Sequence, residues 1–247
     1  MQAVILAGGL GTRLSQRTRQ TPKFLLPVAG RPFGAWVIDR LRACGFTRAL
    51  LCIGHLGEII ERAIGDGARF GLRVRYAADG PVLLGTGGAL RQARSALAPS
   101  FLLTYGDSYL PFDYAAPLRD LDTHPEALGT LAVYRNEDRY DRSNVRVAGE
   151  LVALYRKEPA GAPREAELSD IDYGAMALRR EAVELIPAGR PVGLEGLQAE
   201  LARSGRLRAW RATRRFYEIG SERGLGDLEQ ELARGAAAAS AEEEKQP

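Results

Sequence analysis

Lysine is almost missing from this chain of 247 residues: three lysines, at positions 23, 157 and 245, stand against 31 arginines. A lysine kept where arginine is otherwise used points to a need for a compact point charge rather than a broad planar fork. Lys23 and Lys157 are therefore candidates for chemistry, while Lys245 falls in a terminal tail. Cysteine and histidine are equally scarce, with two of each. Cys44 and Cys52 sit in apolar surroundings and read as core thiols. His55 and His124 have no Cys or His at ligand spacing, which excludes a zinc site built on them. No apolar run approaches the about 18 residues of a membrane span. No basic segment precedes residues 4–6, so a signal peptide is not expected and the cytoplasm is the expected compartment. The formal net charge is only +3, with Arg and Asp/Glu interspersed; a nucleic-acid partner is not expected. Gly-x-Ser-x-Gly is absent, which removes the hydrolase elbow.

What the chain does have is 45% hydrophobic residues, enough for a real core. Its length suits one domain, expected over residues 1–235, with a disordered tail over 236–247. Strand-like apolar runs cover residues 3–7, 49–53, 72–77 and 101–105. Helical patterns alternate with them over 32–45, 57–64 and 87–97. Such alternation predicts an α/β fold with parallel strands and helices on both faces, and a ligand cleft outside the strands' carboxyl ends. Gly8-Gly9 and Gly106-Asp107 both fall at such ends and could face one cleft. After residue 128 strands dominate (127–134, 143–147, 151–155, 171–178), which predicts a small part that closes over the substrate. Late helices are expected over 195–203 and 223–232. The Arg-rich stretch 203–215 reads as an edge strand with one solvated face.

Gly8-Gly9-Leu10-Gly11-Thr12-Arg13-Leu14 is the strongest local signal. Glycines let backbone N–H groups wrap an anion, and Arg13 offers a fork for phosphate oxygens. The segment is not a Walker loop, because no Gly-Lys-Ser/Thr follows at the required spacing. It is a poor dinucleotide fingerprint, since Leu14 stands where Gly or Ala is needed and no acidic residue lies about 20 positions on. Ten residues after Arg13 comes Pro22-Lys23, a lysine whose approach is fixed by the proline before it.

These segments together resemble the signature of the sugar-1-phosphate nucleotidyltransferases (nucleotide-sugar pyrophosphorylases). Four later segments agree in order. Leu84-Gly85-Thr86-Gly87-Gly88-Ala89 resembles that family's nucleobase-binding loop. Tyr105-Gly106-Asp107 resembles its metal-binding strand end. Tyr173-Gly174 resembles its sugar-contacting Asn-x-Gly, and the Glu218 segment, residues 217–221, resembles its second metal carboxylate. Three positions depart from the pattern: Lys157-Glu158-Pro159 transposes the family's Glu-Lys-Pro, Glu218 replaces an Asp, and Asp172 replaces the Asn. Residues 30–33, the 84–89 loop and the compact length are most similar to guanylyltransferases of manno-heptose 1-phosphate. The stretch 65–76 is similar to uridylyltransferases of N-acetylmuramate 1-phosphate.

The resemblance implies a Rossmann-like α/β fold with a mixed, mainly parallel sheet flanked by helices and a small substrate-covering lobe. It implies an enzyme that forms an NDP-sugar and pyrophosphate from a nucleoside triphosphate and a sugar 1-phosphate, with Mg²⁺ as cofactor. Arg13 and Lys23 would be the catalytic cations. Leu6, Ala7, Gly8, Gly9, Gly11, Thr12, Gly85, Thr86, Gly87 and Gly88 would hold the nucleotide. Lys157, Glu158, Tyr173 and Gly174 would hold the sugar phosphate, and Asp107 and Glu218 the metal. A homo-oligomer is compatible with the sequence. The alternatives are a non-catalytic nucleotide-sugar sensor, which retention of Arg13, Lys23 and Asp107 argues against, and the dinucleotide oxidoreductase already disfavoured.

Overall fold

The computed structural model describes residues 1–11, 18–157 and 167–243, with side chains described as far as 235. The chain opens with strand β1 (Gln2–Leu6), followed by a short ribbon of β2 (Pro27–Val28) and β3 (Arg31–Pro32) and helix α1 (Phe33–Ala43). Then come β4 (Arg48–Ile53), α2 (Gly57–Ile64), β5 (Arg73–Ala78), α3 (Gly85–Gln92), β6 (Ser100–Tyr105) and a two-residue strand β7 (Ser108–Tyr109). Helix α4 (Ala116–Asp122), β8 (Gly129–Arg135), β9 (Val145–Ala148), β10 (Leu151–Tyr155) and β11 (Asp170–Arg179) follow. The last elements are α5 (Glu195–Arg203), β12 (Leu207–Arg211), β13 (Tyr217–Glu218) and α6 (Glu222–Glu243).

Nine strands form one sheet in the order β5-β4-β1-β6-β11-β8-β12-β10-β9. The first four are parallel, as the strand–helix alternation predicts. β11 then runs antiparallel to both β6 and β8. The sheet is therefore evenly mixed rather than mainly parallel: beyond β6 only β8 and β12 pair in parallel. The strands expected to form a separate lobe extend this same sheet, with the β9–β10 hairpin at its far edge. β12 is not an edge strand. It lies between β8 and β10, where Arg208 is buried and its guanidinium is bonded to Asp120 at 2.9 Å and Glu150 at 3.0 Å. Two acceptors inside the sheet explain how an arginine is tolerated at an interior position.

Each strand supplies both faces by alternation. In β1, Ala3 and Ile5 join one core with Phe33, Val37 and Leu41 of α1, while Val4 and Leu6 join the other with Leu90 of α3 and Leu197 and Leu201 of α5. Helix α1 begins just after Pro32, whose missing N–H costs nothing there, and ends before Gly45, which turns at φ 81°. Helix α6 runs to Glu243, past position 235 where the sequence predicted disorder. The run of alanines after Gly235 has the highest helix propensity of any residue, which accounts for the extension.

Candidate active site

The carboxyl ends of β5, β4, β1 and β6 open on a cavity of about 410 Å³. Its floor is residues 6–11 leaving β1, and its walls include Phe24, Cys52, Leu83, Ala89, Tyr105 and Asp107. Close backbone approach builds the floor. A Cβ on Gly8 would stand 3.0 Å from the Gly54 nitrogen, and one on Gly106 would stand 2.9 Å from the Leu6 carbonyl. Only glycine lets these strand ends meet so tightly. Leu6, Ala7, Gly8, Gly9 and Gly11 all line the cavity. Thr12 and Arg13 lie outside the described residues.

Lys23 and Asp107, 84 positions apart in sequence, meet at this cavity: Lys23 Nζ donates to Asp107 Oδ2 at 2.9 Å. Pro22, extended at φ −61° and ψ 145°, sends the chain into a short turn over Lys23–Leu25 that points the ammonium inward. The short strands β7 and β13 then bring Glu218 beside Asp107. Glu218 pairs with Ser108, and the Ile219 N–H donates to the Asp107 carbonyl at 3.0 Å. Arg214 and Arg215, the natural surface partners for Glu218, pair with Glu231 and Asp227. Among the described residues no group of three or more His, Cys, Asp or Glu could cage an ion. Two carboxylates with an ammonium standing at one of them still suit Mg²⁺, which usually takes one or two protein carboxylates plus phosphates and water.

The base loop differs from expectation in one half. Gly85 and Thr86 line the cavity, whereas the N–H groups of Gly87 and Gly88 both donate to the Val192 carbonyl, at 3.0 and 3.2 Å. Those two amides are engaged within the protein. Val192 N–H returns to the Leu84 carbonyl, and Leu194 N–H donates to Thr86 Oγ1. Gly87 and Gly88 are thus needed for packing: a Cβ on Gly87 would stand 2.6 Å from the Gly193 carbonyl.

On the sugar side, Gly174 bends at φ 95° and its N–H donates to Asp172 Oδ1 at 2.9 Å. Tyr155 and Gln198 donate to Asp172 Oδ2, and the Asp172 N–H donates to Asn144. Burial pushes the Asp172 carboxyl up, opposed by these donors and, more weakly, by the Lys157 charge. Lys157, just beyond β10, therefore faces this corner, while Glu158 lies outside the described residues. Tyr173 does not face the site. It is 1% exposed, its ring packs against Phe112, Tyr134 and Phe216, and its hydroxyl reaches the Arg215 carbonyl. In a strand, neighbours point to opposite faces, so Asp172, turned toward Tyr155 and Gln198, puts Tyr173 in the core on the other face. Tyr105 stands between the two halves: burial raises its phenol well above the usual value, and Asp172, Glu195, Asp107 and Glu218 add to the rise. Asp79, Tyr155 and Gln198 carry no motif spacing of their own and were not legible as site residues, and Tyr105 was legible only as part of the Tyr105-Gly106-Asp107 strand end.

Residues 3–187 match the MobA-like NTP transferase domain. The chain is 38% identical over 127 residues to the N-acetylmuramate alpha-1-phosphate uridylyltransferase of Neisseria meningitidis, covering 51% of this chain and 55% of that protein. It is 30% identical over 113 residues to the D-glycero-alpha-D-manno-heptose 1-phosphate guanylyltransferase of Campylobacter jejuni, covering 46% and 50%. The chain spans about half the length of the curated relatives it matches. In structure it resembles HddC from Yersinia pseudotuberculosis, with a TM-score of 0.77 at 21% identity over 94% of this chain and 99% of that one. That likeness fixes a Rossmann-like α/β fold. On the match over residues 3–187, the chain belongs to the family of MobA-like NTP transferase domains.

Proposed function

We propose that this chain transfers a nucleotidyl group from a nucleoside triphosphate to a sugar 1-phosphate. The observation that carries the reading is the Lys23–Asp107 contact in a glycine-floored cavity, with the Glu218 strand paired alongside Asp107. A phosphate oxygen of the sugar 1-phosphate attacks the α-phosphorus, the bond from that phosphorus to the bridging oxygen breaks, and pyrophosphate leaves. The attacking oxygen is already an anion and needs no general base. The protein's task is in-line alignment and charge neutralisation.

Backbone groups of residues 8–11 cradle the phosphates. Lys23 neutralises charge at the α-phosphate as the new bond forms, and Arg13 draws on the leaving pyrophosphate. Asp107 and Glu218 would hold Mg²⁺, which would supply charge stabilisation across the phosphate oxygens. Lys157, at the end of the β9–β10 hairpin, and the Gly174 backbone position the sugar phosphate, with the hairpin covering the sugar.

The substrate pair we favour is GTP with a manno-heptose 1-phosphate. UTP with N-acetylmuramate 1-phosphate is the second reading, favoured by the 38% identity to an enzyme of that name. The test is a panel of nucleoside triphosphates against sugar 1-phosphates with Mg²⁺, read as pyrophosphate release. Release from one pair well above all single-substrate controls is expected. No release from any pair removes the proposal.

A further inference from the structure

The loop between β8 and β9, residues 136–144, is held in a strained shape. Glu137 and Asp138 turn at φ 51° and 57°, a region that residues other than glycine rarely adopt. Such strain persists where the surroundings over-determine it, and it gathers at working sites. Asn136, 1% exposed, braces the loop from inside. Its Nδ2 donates to the Asp141 carbonyl and to Ser143 Oγ, and its Oδ1 accepts the Tyr140 N–H. Asp138 and Ser143 exchange two further bonds, each backbone N–H donating to the other's side chain.

The loop ends at Asn144, which holds both pieces of the sugar corner. Asn144 Oδ1 accepts the Asp172 N–H at 2.8 Å, two residues before Gly174. Its carbonyl accepts the Arg156 N–H at 2.9 Å, one residue before Lys157. The loop's outer anchor is Tyr140, whose ring meets those of Tyr134 and Phe216 and carries a guanidinium on its face. Arg215 Cζ lies 4.2 Å from the centre of the Tyr140 ring and 4.5 Å from that of Tyr217, the residue before Glu218. The same guanidinium donates from Nη2 to Asp227 Oδ2 of α6 at 3.1 Å and from Nε to the Phe216 carbonyl at 3.3 Å. A planar cation can lie against two rings and bond a carboxylate edge-on; an ammonium cannot do all three.

We infer that Arg215 is a positioning residue for the sugar 1-phosphate. By clamping Tyr140 to the strand that carries Glu218, it fixes the 136–144 loop. Through Asn144 it then sets where Asp172, Gly174 and Lys157 stand relative to the metal side of the cleft. This rests on the transferase reading and adds to it a residue that touches neither substrate. β13 is secured independently by its pairing with β7, so the loop is the part that loss of Arg215 sets free.

The test is steady-state kinetics of the full chain in Mg²⁺, with the most active nucleoside triphosphate and sugar 1-phosphate of the panel above. Arg215→Met and Tyr140→Leu should each raise KM for the sugar 1-phosphate about tenfold or more, because small displacements of positioning groups are costly. KM for the nucleoside triphosphate and the Mg²⁺ requirement should hold, since the glycine floor and the β7–β13 pair are untouched. The double variant should be no worse than the worse single one, because both substitutions break the same contact. Tyr140→Phe keeps the ring and should stay within about twofold of wild type. Hydrogen exchange of the free chain reads the same clamp without turnover: amides of 136–144 and of Asp172 should exchange faster in Arg215→Met, and those of β7 and β13 as in wild type. Tyr140→Leu changes an exposed loop residue, so it decides the matter should Arg215→Met not fold. An unchanged sugar KM in a folded single variant, an equal rise in both KM values, or additive losses in the double variant overturns the inference and leaves the transferase standing. Pyrophosphate release from no pair in the wild type is the separate result that removes the transferase reading.

Discussion

Replacing Lys23 by Ala removes an ammonium 2.9 Å from Asp107 Oδ2. At an effective dielectric of about 20, two unit charges at that distance attract by about 6 kcal/mol before desolvation and side-chain ordering are counted. The pair is partly exposed, at 17% and 31%, so the net worth to folding is nearer about 1 kcal/mol. For a chain of this size that is a shift of about 2–4 °C in Tm. Catalysis should respond far more strongly. A donor aimed at charge that develops in the transition state is worth about 10²-fold or more. Lys23→Ala should therefore melt within a few degrees of wild type while kcat falls by at least about two orders of magnitude. Lys23→Arg should recover little, because a broad fork cannot replace a point charge in this corner. A third readout is independent of turnover. Freed of its ammonium partner, Asp107 should bind Mg²⁺ or Mn²⁺ more tightly in the absence of nucleotide. Near-wild-type kcat in Lys23→Ala, or full activity in Lys23→Arg, would refute the role given to this residue.

Other perturbations separate structural from chemical roles. Gly87→Ala drives a Cβ to 2.6 Å from the Gly193 carbonyl; it should cost about 1–3 kcal/mol in a denaturant melt and loosen nucleotide binding. Gly196→Ala, where a Cβ meets nothing within 4 Å in α5, should leave both unchanged or add up to about 1 kcal/mol. Glu218→Gln should raise the Mg²⁺ concentration needed for activity with little change in Tm; wild-type metal dependence would remove Glu218 as a ligand. Burial pushes the Asp120 carboxyl up, but hydrogen bonds from Arg208 and Thr130 outweigh it and hold the group below its usual value. Its stability contribution is thus full above about pH 4 and lost as pH falls through the depressed value. Asp120→Asn should flatten the acid limb of stability against pH; an unchanged limb would show that the Arg208 pair contributes nothing.

The strand–helix alternation over the first 105 residues was legible because each element is long enough to show its period, and β1, β4, β5 and β6 fall where it puts them. The glycine floor was legible because close backbone approach leaves a composition signal. Other features leave none. β7 and β13 are two residues each, too short for alternation, yet they bring Glu218 to Asp107. A glycine's presence does not say where its N–H points, so Gly87 and Gly88 read as ligand contacts although they serve Val192. Tyr173 shares a motif with Gly174 but faces the core, and only the strand's alternation with Asp172 decides that. β12 looked like an edge because its charges look solvated; the long crossing that inserts it between β8 and β10 is invisible in sequence. Asp79 stands five positions before the base loop with no spacing rule to mark it.

In the proposed reaction the α-phosphate goes to a sugar. The direct measurement uses GTP labelled at the α-phosphorus, Mg²⁺ and a panel of sugar 1-phosphates, with products separated and weighed by mass spectrometry. The label should appear in a sugar-bearing GDP product, one for one with pyrophosphate, and neither should form when the sugar phosphate is omitted. Label recovered in GMP or GDP without a sugar, or orthophosphate in place of pyrophosphate, would contradict it.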